Sequence, residues 1–311
     1  MKNLLSYILL SLISTTAVSN TVTLSAAQFD FDFSESDGSA KGTGTIREYG
    51  FNYRNREYFE FFGVINKSDE KESKVLGLLI DDFWIEYYDG SYVSDINIDT
   101  YSSENSDPIP YTDTKTSEYK RIDIFFDLNT KNCRGGIFGD EICSTRRGIS
   151  YLKLDAHGDY IYHPLDYDGY YVYEDVHFSD SVTIKSVGMA GNIEFMPYKI
   201  GFYRRFNTHI GIASIKASNL IPHNRSAADY KQDDASDIRI STNMALDFGL
   251  AVRDYSEYTG IGFELTLGYA LQHYYTLPML FFGEFDSEGE DRIETYLPYW
   301  KGTRFSASVT F

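Results

Sequence analysis

The chain has 311 residues, with 28 Lys and Arg against 46 Asp and Glu and a formal net charge of -18, and no basic block to neutralise a phosphate backbone; nucleic acid is therefore excluded as a partner. Aromatic residues make up 16% of the chain, including 27 Tyr and 22 Phe, which excludes intrinsic disorder. No run of about 18 apolar residues occurs, so a helical membrane protein is excluded too, and the apolar material must lie at alternating positions on strands.

The first segment reads as a secretory signal peptide: Lys2, an apolar stretch from Leu4 to Ile13, then small residues ending at Ala17-Val18-Ser19. Residues 1–19 are the expected leader. Ser25-Ala26-Ala27 offers a second cut, so the mature chain begins at Asn20 or Gln28, and a single domain is expected over residues 28–311. In the N-terminal third, strands are read at residues 44–53, 58–65, 75–88 and 92–98, the last two joined by the turn signal Asp89-Gly90. The polar stretch from Asp99 to Glu118 reads as a loop, and a strand follows at residues 121–128.

Export puts Cys133 and Cys143 in an oxidising compartment, where they are expected to form a disulfide clipping one loop. Two thiols without a neighbouring His fall short of a four-ligand set, so no metal site is expected, and nothing in the chain calls for a cofactor. After a strand at residues 149–154 comes His177-Phe178-Ser179. Val172, Val176 and Phe178 share one parity that reads as lipid-facing, which turns His177 and Ser179 inward. Further strands are read at residues 186–196 and 209–217, followed by a polar stretch from Ser218 to Asp237.

The clearest alternation runs from Ile238 to Arg253 and resumes from Ile261 to Leu271, making a long antiparallel hairpin. Strands in soluble proteins are usually about five or six residues long. Ten steps of about 3.3 Å, tilted by about 40°, instead give roughly 25 Å of height, the apolar band of an outer-membrane barrel. The opposite faces carry Arg239, Asp247, Arg253, Glu264 and, on the last strand, Arg304. These face the lumen of such a barrel, either as a lining that selects solutes or as a salt-bridge network filling a narrow interior. Tyr255 and Tyr258 at one end of the hairpin, with Tyr274 and Tyr275 at the other, read as interfacial girdles.

The C-terminal GTRFSASVTF ends on Phe311, with Val309, Ala307 and Phe305 on the same face. This resembles the terminal strand of Gram-negative outer-membrane β-barrels. The resemblance implies an outer-membrane location, contact with outer-membrane lipid and lipopolysaccharide, and Phe305, Val309 and Phe311 as the signal read by the barrel-assembly machinery. The expected fold is all-β, one antiparallel barrel of about twelve strands, with ten and fourteen as alternatives. Three functions are weighed on it. The first is a non-enzymatic porin-like channel or structural barrel with acidic surface loops. The second is a solitary barrel similar to autotransporter translocators. The third is a lipid-modifying hydrolase, since His177 and Ser179 resemble the His-x-Ser pair of outer-membrane phospholipases and lipid A deacylases; this match covers three residues, and no catalytic assignment is expected from it.

Overall fold

The computed structural model describes residues 20–34, 40–55, 59–69, 71–100, 109–136, 139–162, 176–218, 234–256, 259–278 and 299–311. They form twelve strands: β1 Asn20–Ser34, β2 Ala40–Asn55, β3 Phe59–Lys67, β4 Lys71–Ile80, β5 Phe83–Thr100, β6 Ile109–Gly136, β7 Gly139–Tyr162, β8 Val176–Pro197, β9 Ile200–Ser218, β10 Asp234–Ser256, β11 Ile261–Pro278 and β12 Tyr299–Thr310. Every consecutive pair is antiparallel, and β12 pairs with β1, so the sheet closes on itself. Closure satisfies every edge, the condition for strands to cross a bilayer.

The start of β1, the end of β12 and the short connections lie at one end, here the lower. There Ile80 pairs with Phe83 across Asp81-Asp82, and Asp81 takes φ 51°. A short Asp side chain tolerates that left-handed backbone at modest cost. The connections at the upper end are longer, up to residues 279–298 between β11 and β12. One exception is the β3–β4 hairpin, whose upper connection is residues 68–70. Above it β2 and β5 pair directly, Ala40 with Ile96 and Lys41 with Asp95.

Alternation fixes which side chains face in, but the chemistry of the two faces exchanges along the strands. On the lower part of β8, Val187 and Met189 face outward at 66% and 69% exposure while Asn192 and Glu194 face inward. Two residues higher, Lys185 and Thr183 face outward while Ile184 and Val182 are buried. On β9, outward Ile210 and Ile212 give way to Ser214 and Lys216, and inward Arg205, Asn207 and His209 give way to buried Ala213, Ile215 and Ala217. β1, β2, β6 and β7 follow suit, with Phe29, Ile46, Tyr119, Leu152 and Leu154 buried inside above the exchange. On these strands the lower section thus presents apolar residues to its surroundings and polar ones to its lumen, whereas the upper section turns polar residues outward and buries apolar ones; β10 and β11 keep mainly apolar residues outward up to Ile238 and Leu277.

Several expectations change here. β1 starts at Asn20 and pairs along its length with β2 and β12, so the barrel begins eight residues before position 28. Asp89-Gly90 is no turn: it lies inside β5, where Asp89 stands on the outer face between Lys74 of β4 and Lys120 of β6. Two strands offering backbone partners and two flanking cations outweigh a dipeptide's local turn preference. Of the expected loop from Asp99 to Glu118, residues 99–100 belong to β5 and 109–118 to β6. Tyr274 is not part of a girdle, being 1% exposed inside the upper core, whereas Tyr255 is 59% exposed at the lower end.

Candidate functional site: a filled barrel interior

Opposite charges two residues apart on one strand share a face, and several such pairs line the lumen. Arg121 Nε donates to Asp123 Oδ1 at 2.8 Å, and Arg239 Nε donates to Asp237 Oδ2 at 2.7 Å. Both pairs are buried. Lower down, the charges join across strands. Arg304 on β12 bonds Asp247 Oδ2 on β10 at 2.9 Å and also reaches Glu48 on β2. Tyr203 Oη donates to Asp247 Oδ1 at 2.7 Å. Arg205 on β9 bonds Glu194 on β8 at 2.8 Å and Glu264 on β11 at 3.5 Å, and Glu264 also takes Arg253 at 2.9 Å. A carboxylate left unpaired in this low-dielectric interior would cost several kcal/mol, so the reciprocal arrangement is what makes the charges tolerable.

Of the lumen residues read from the sequence, Asp247, Arg253, Glu264 and Arg304 therefore lie in one network, and Arg239 sits apart, higher up, with Asp237. Sequence reading missed Glu48, Arg205 and Glu194. β9 was read as starting at His209, so Arg205 and Asn207 below it were never given a face. The recurring i, i+2 pairs Arg121/Asp123 and Asp237/Arg239 were a legible signal that went unused.

Above the charges lies the dry core, formed by Tyr119, Leu152, Leu154, Val182, Ile184 and Ile215 with Tyr274 and neighbours. Tyr119 on β6 and Tyr274 on β11 come from opposing walls, so this cluster spans the barrel. Other contacts cross it as well. Arg121 on β6 donates to Asn207 on β9 at 2.8 Å, and Lys71 on β4 sits 4.4 Å from the ring centre of Trp300 on β12. What remains between the two layers is a cavity of about 280 Å³ whose lining includes Lys71, Arg121, Asn243, Asp247, Trp300 and Arg304. The buried Nδ2 of Asn243 has no protein partner there, which suits ordered water.

One serine-histidine pair exists inside. Ser186 Oγ lies 2.8 Å from His209 Nε2, and Ser241 Oγ is 3.5 Å from the same nitrogen. All three residues are 0% exposed, and His209 Nδ1 has no protein partner. Nucleophilic chemistry needs an orienting group on the base and access for substrate; among the described residues no group bonds His209 Nδ1, and all three side chains are buried. The side chains of His177 and Ser179 lie outside the described residues. Asn192 lines the internal cavity. Cys133 also lies outside the described side chains. Phe305 and Val309 are 50% and 45% exposed on the outer face of β12, and Phe311 exchanges backbone hydrogen bonds with Val22 at 2.9 Å in both directions. No cluster of three or more His, Cys, Asp or Glu suited to a metal occurs among the described residues.

No protein-family model and no curated protein matches the chain. Among solved structures it is similar to the outer membrane protease OmpT from Escherichia coli, at 7% identity and a TM-score of 0.32, over 96% of this chain and 99% of that one. The translocator domain of autotransporter NalP from Neisseria meningitidis matches at 8% identity and a TM-score of 0.18, over 100% and 95%. The Pseudomonas putida toluene transporter TodX matches at 8% and 0.26, over 96% and 92%. At this identity no function passes from any of them to this chain. The closed antiparallel barrel with its outward apolar belt is the architecture of Gram-negative outer-membrane β-barrels.

Proposed function

We propose that this protein is a non-enzymatic structural barrel of the Gram-negative outer membrane, closed to solutes, that holds a dry-cored platform and its acidic connections above the outer leaflet. The observation that carries this reading is the interior itself: an apolar core joining opposite walls above a network of paired charges. A porin-like lumen and an autotransporter-like passage both need a continuous aqueous path, and these contacts stand across it.

In this reading the lower end faces the periplasm. The leader is cut after Ser19, because a cut after Ala27 would remove the half of β1 that pairs with Ser306 to Thr310. Cys133 and Cys143 form a disulfide near the periplasmic tip of the β6–β7 hairpin, where the register sets them diagonally across the ladder. Phe305, Val309 and Phe311 carry the assembly signal, and no cofactor takes part. The upper connections between strands contain 18 Asp and Glu against three Lys and Arg, whereas the lower ones contain four against two. Nearly all of the protein's negative charge is thereby held on the cell's outer side.

Planar-bilayer recording tests the closed interior. Purified protein whose unboiled form migrates differently from the boiled form in a denaturing gel is added to the bilayer. No stepwise conductance is expected; steady ohmic steps from folded protein would overturn the reading.

A further inference from the structure

Directly above the apolar belt, the outer face of β6 to β9 carries a run of lysines. Lys120 on β6 pairs in register with Lys153 on β7, and Lys153 with Lys185 on β8. Lys216 on β9 stands diagonally from Lys185, opposite Thr183. Like charges directly opposite on neighbouring strands repel, so three in a row is an arrangement that a sheet keeps only at some cost. Lys120 has Asp89 of β5 in register and Glu118 at 3.8 Å, and Lys153 has Asp155, as local counter-charges. Lys185 and Lys216 are exposed, and neither makes an ion pair with a described residue.

Below these ammonium groups the same outer faces turn apolar. Tyr151, Val187, Met189, Ile210 and Ile212 are 40% to 69% exposed, the last four on the two strands that carry Lys185 and Lys216. Cations over an exposed apolar strip form a two-part surface that complements a molecule with an anionic head and hydrocarbon chains. Four lysines over three inter-strand spacings of about 4.8 Å cover roughly 14 Å. That width suits a disaccharide bearing a phosphate at each end better than the single phosphate of a glycerophospholipid. The surface is also a local exception in a chain of net charge -18, whose acidic residues crowd the connections above it.

We propose that Lys120, Lys153, Lys185 and Lys216 form a docking surface for one phosphorylated glycolipid of the outer leaflet, lipid A, whose acyl chains lie along Val187, Met189, Ile210 and Ile212. The proposal rests on the outer-membrane placement given above, and it does not depend on whether the lumen conducts. Native mass spectrometry of the detergent-purified full chain tests it, with bis-phosphorylated lipid A, its dephosphorylated form and phosphatidylglycerol as probes. Wild type is expected to retain one bis-phosphorylated lipid A and to bind the other two probes about tenfold more weakly. Lys185→Glu with Lys216→Glu is expected to lose about tenfold in lipid A affinity, and Lys185→Arg with Lys216→Arg to keep it. Equal retention of the three probes by wild type would overturn the proposal even if the charge-reversed variant failed to fold, as would undiminished binding by that variant when folded.

Discussion

Ile184 and Val187 lie three residues apart on β8, and each is apolar for a different reason. Ile184 is 0% exposed and fills the core of the upper section; Val187 is 66% exposed and belongs to the belt of the lower section. In the membrane placement proposed above, the solvent outside the barrel changes between them from water to hydrocarbon, and with it the meaning of an outward position. In the upper section burial of apolar surface contributes about 1.5–3 kcal/mol for each large aliphatic side chain, as in a soluble protein. In the lower section the outward side chains only avoid a penalty, and specificity comes from the paired charges inside.

The sharpest way to break this contrast is to put the same charge on both sides of it. Ile184→Asp buries a carboxylate without a partner in the dry core and is expected to cost about 4 kcal/mol, whereas Val187→Asp near the belt's upper margin is expected to cost about 1 kcal/mol. The measurement is the urea dependence of the shift between folded and unfolded gel mobility. Equal losses at the two positions would remove the distinction between the sections.

A second substitution probes the ionic layer. Arg304→Ala leaves Asp247 and Glu48 each without one cation and is expected to cost about 3 kcal/mol by the same urea assay. Adding Asp247→Ala is expected to recover part of that loss, because one of the two uncompensated carboxylates is then removed. Strictly additive losses would mean that the pair contributes nothing as a pair.

A third substitution probes the backbone of the lower section. Gly249 on β10 faces Gly268 on β11, and a Cβ at Gly249 would stand 2.2 Å from the carbonyl oxygen of Leu267. The ladder closes up here where the wall curves, and Gly249→Ala is expected to cost about 2 kcal/mol in the urea midpoint while leaving the charge network in place. A variant with unchanged stability would show that the two strands separate without penalty.

How much of this was legible beforehand follows from the same contrast. Ile238–Arg253 and Ile261–Leu271 read clearly because β10 and β11 keep apolar residues outward throughout: Ile238 and Leu277, near their upper ends, are still 42% and 49% exposed. On β8 and β9 the outward face changes character midway, so alternation scored over the full strand partly cancels and only Ser186–Met196 and His209–Ala217 were recognised. β1 was missed for that reason, its outward Leu24 and Ala26 giving way to Gln28 and Asp30 while inward Thr23 and Ser25 give way to buried Phe29. The small residues Ser25-Ala26-Ala27, which also fit a leader cleavage site, weaken its apolar alternation further. The inward parity of Asp247, Arg253, Glu264 and Arg304 was readable from period two, but their joining into one network depends on which strands face one another, and that requires register.

The seam between β1 and β12 has a consequence in time. Val22 and Phe311, at the lower end of that seam, bond each other twice at 2.9 Å, and the hydroxyls of Thr23 and Thr310 meet at 3.0 Å. A barrel that has not yet closed therefore holds a first strand with one neighbour missing until β12 reaches it. The contact that completes the ring has the longest loop to close, so closure comes late and pays its entropy all at once. Until then β1 is an open edge that a second copy could occupy, which makes sequestering that edge before closure a requirement of this protein's assembly.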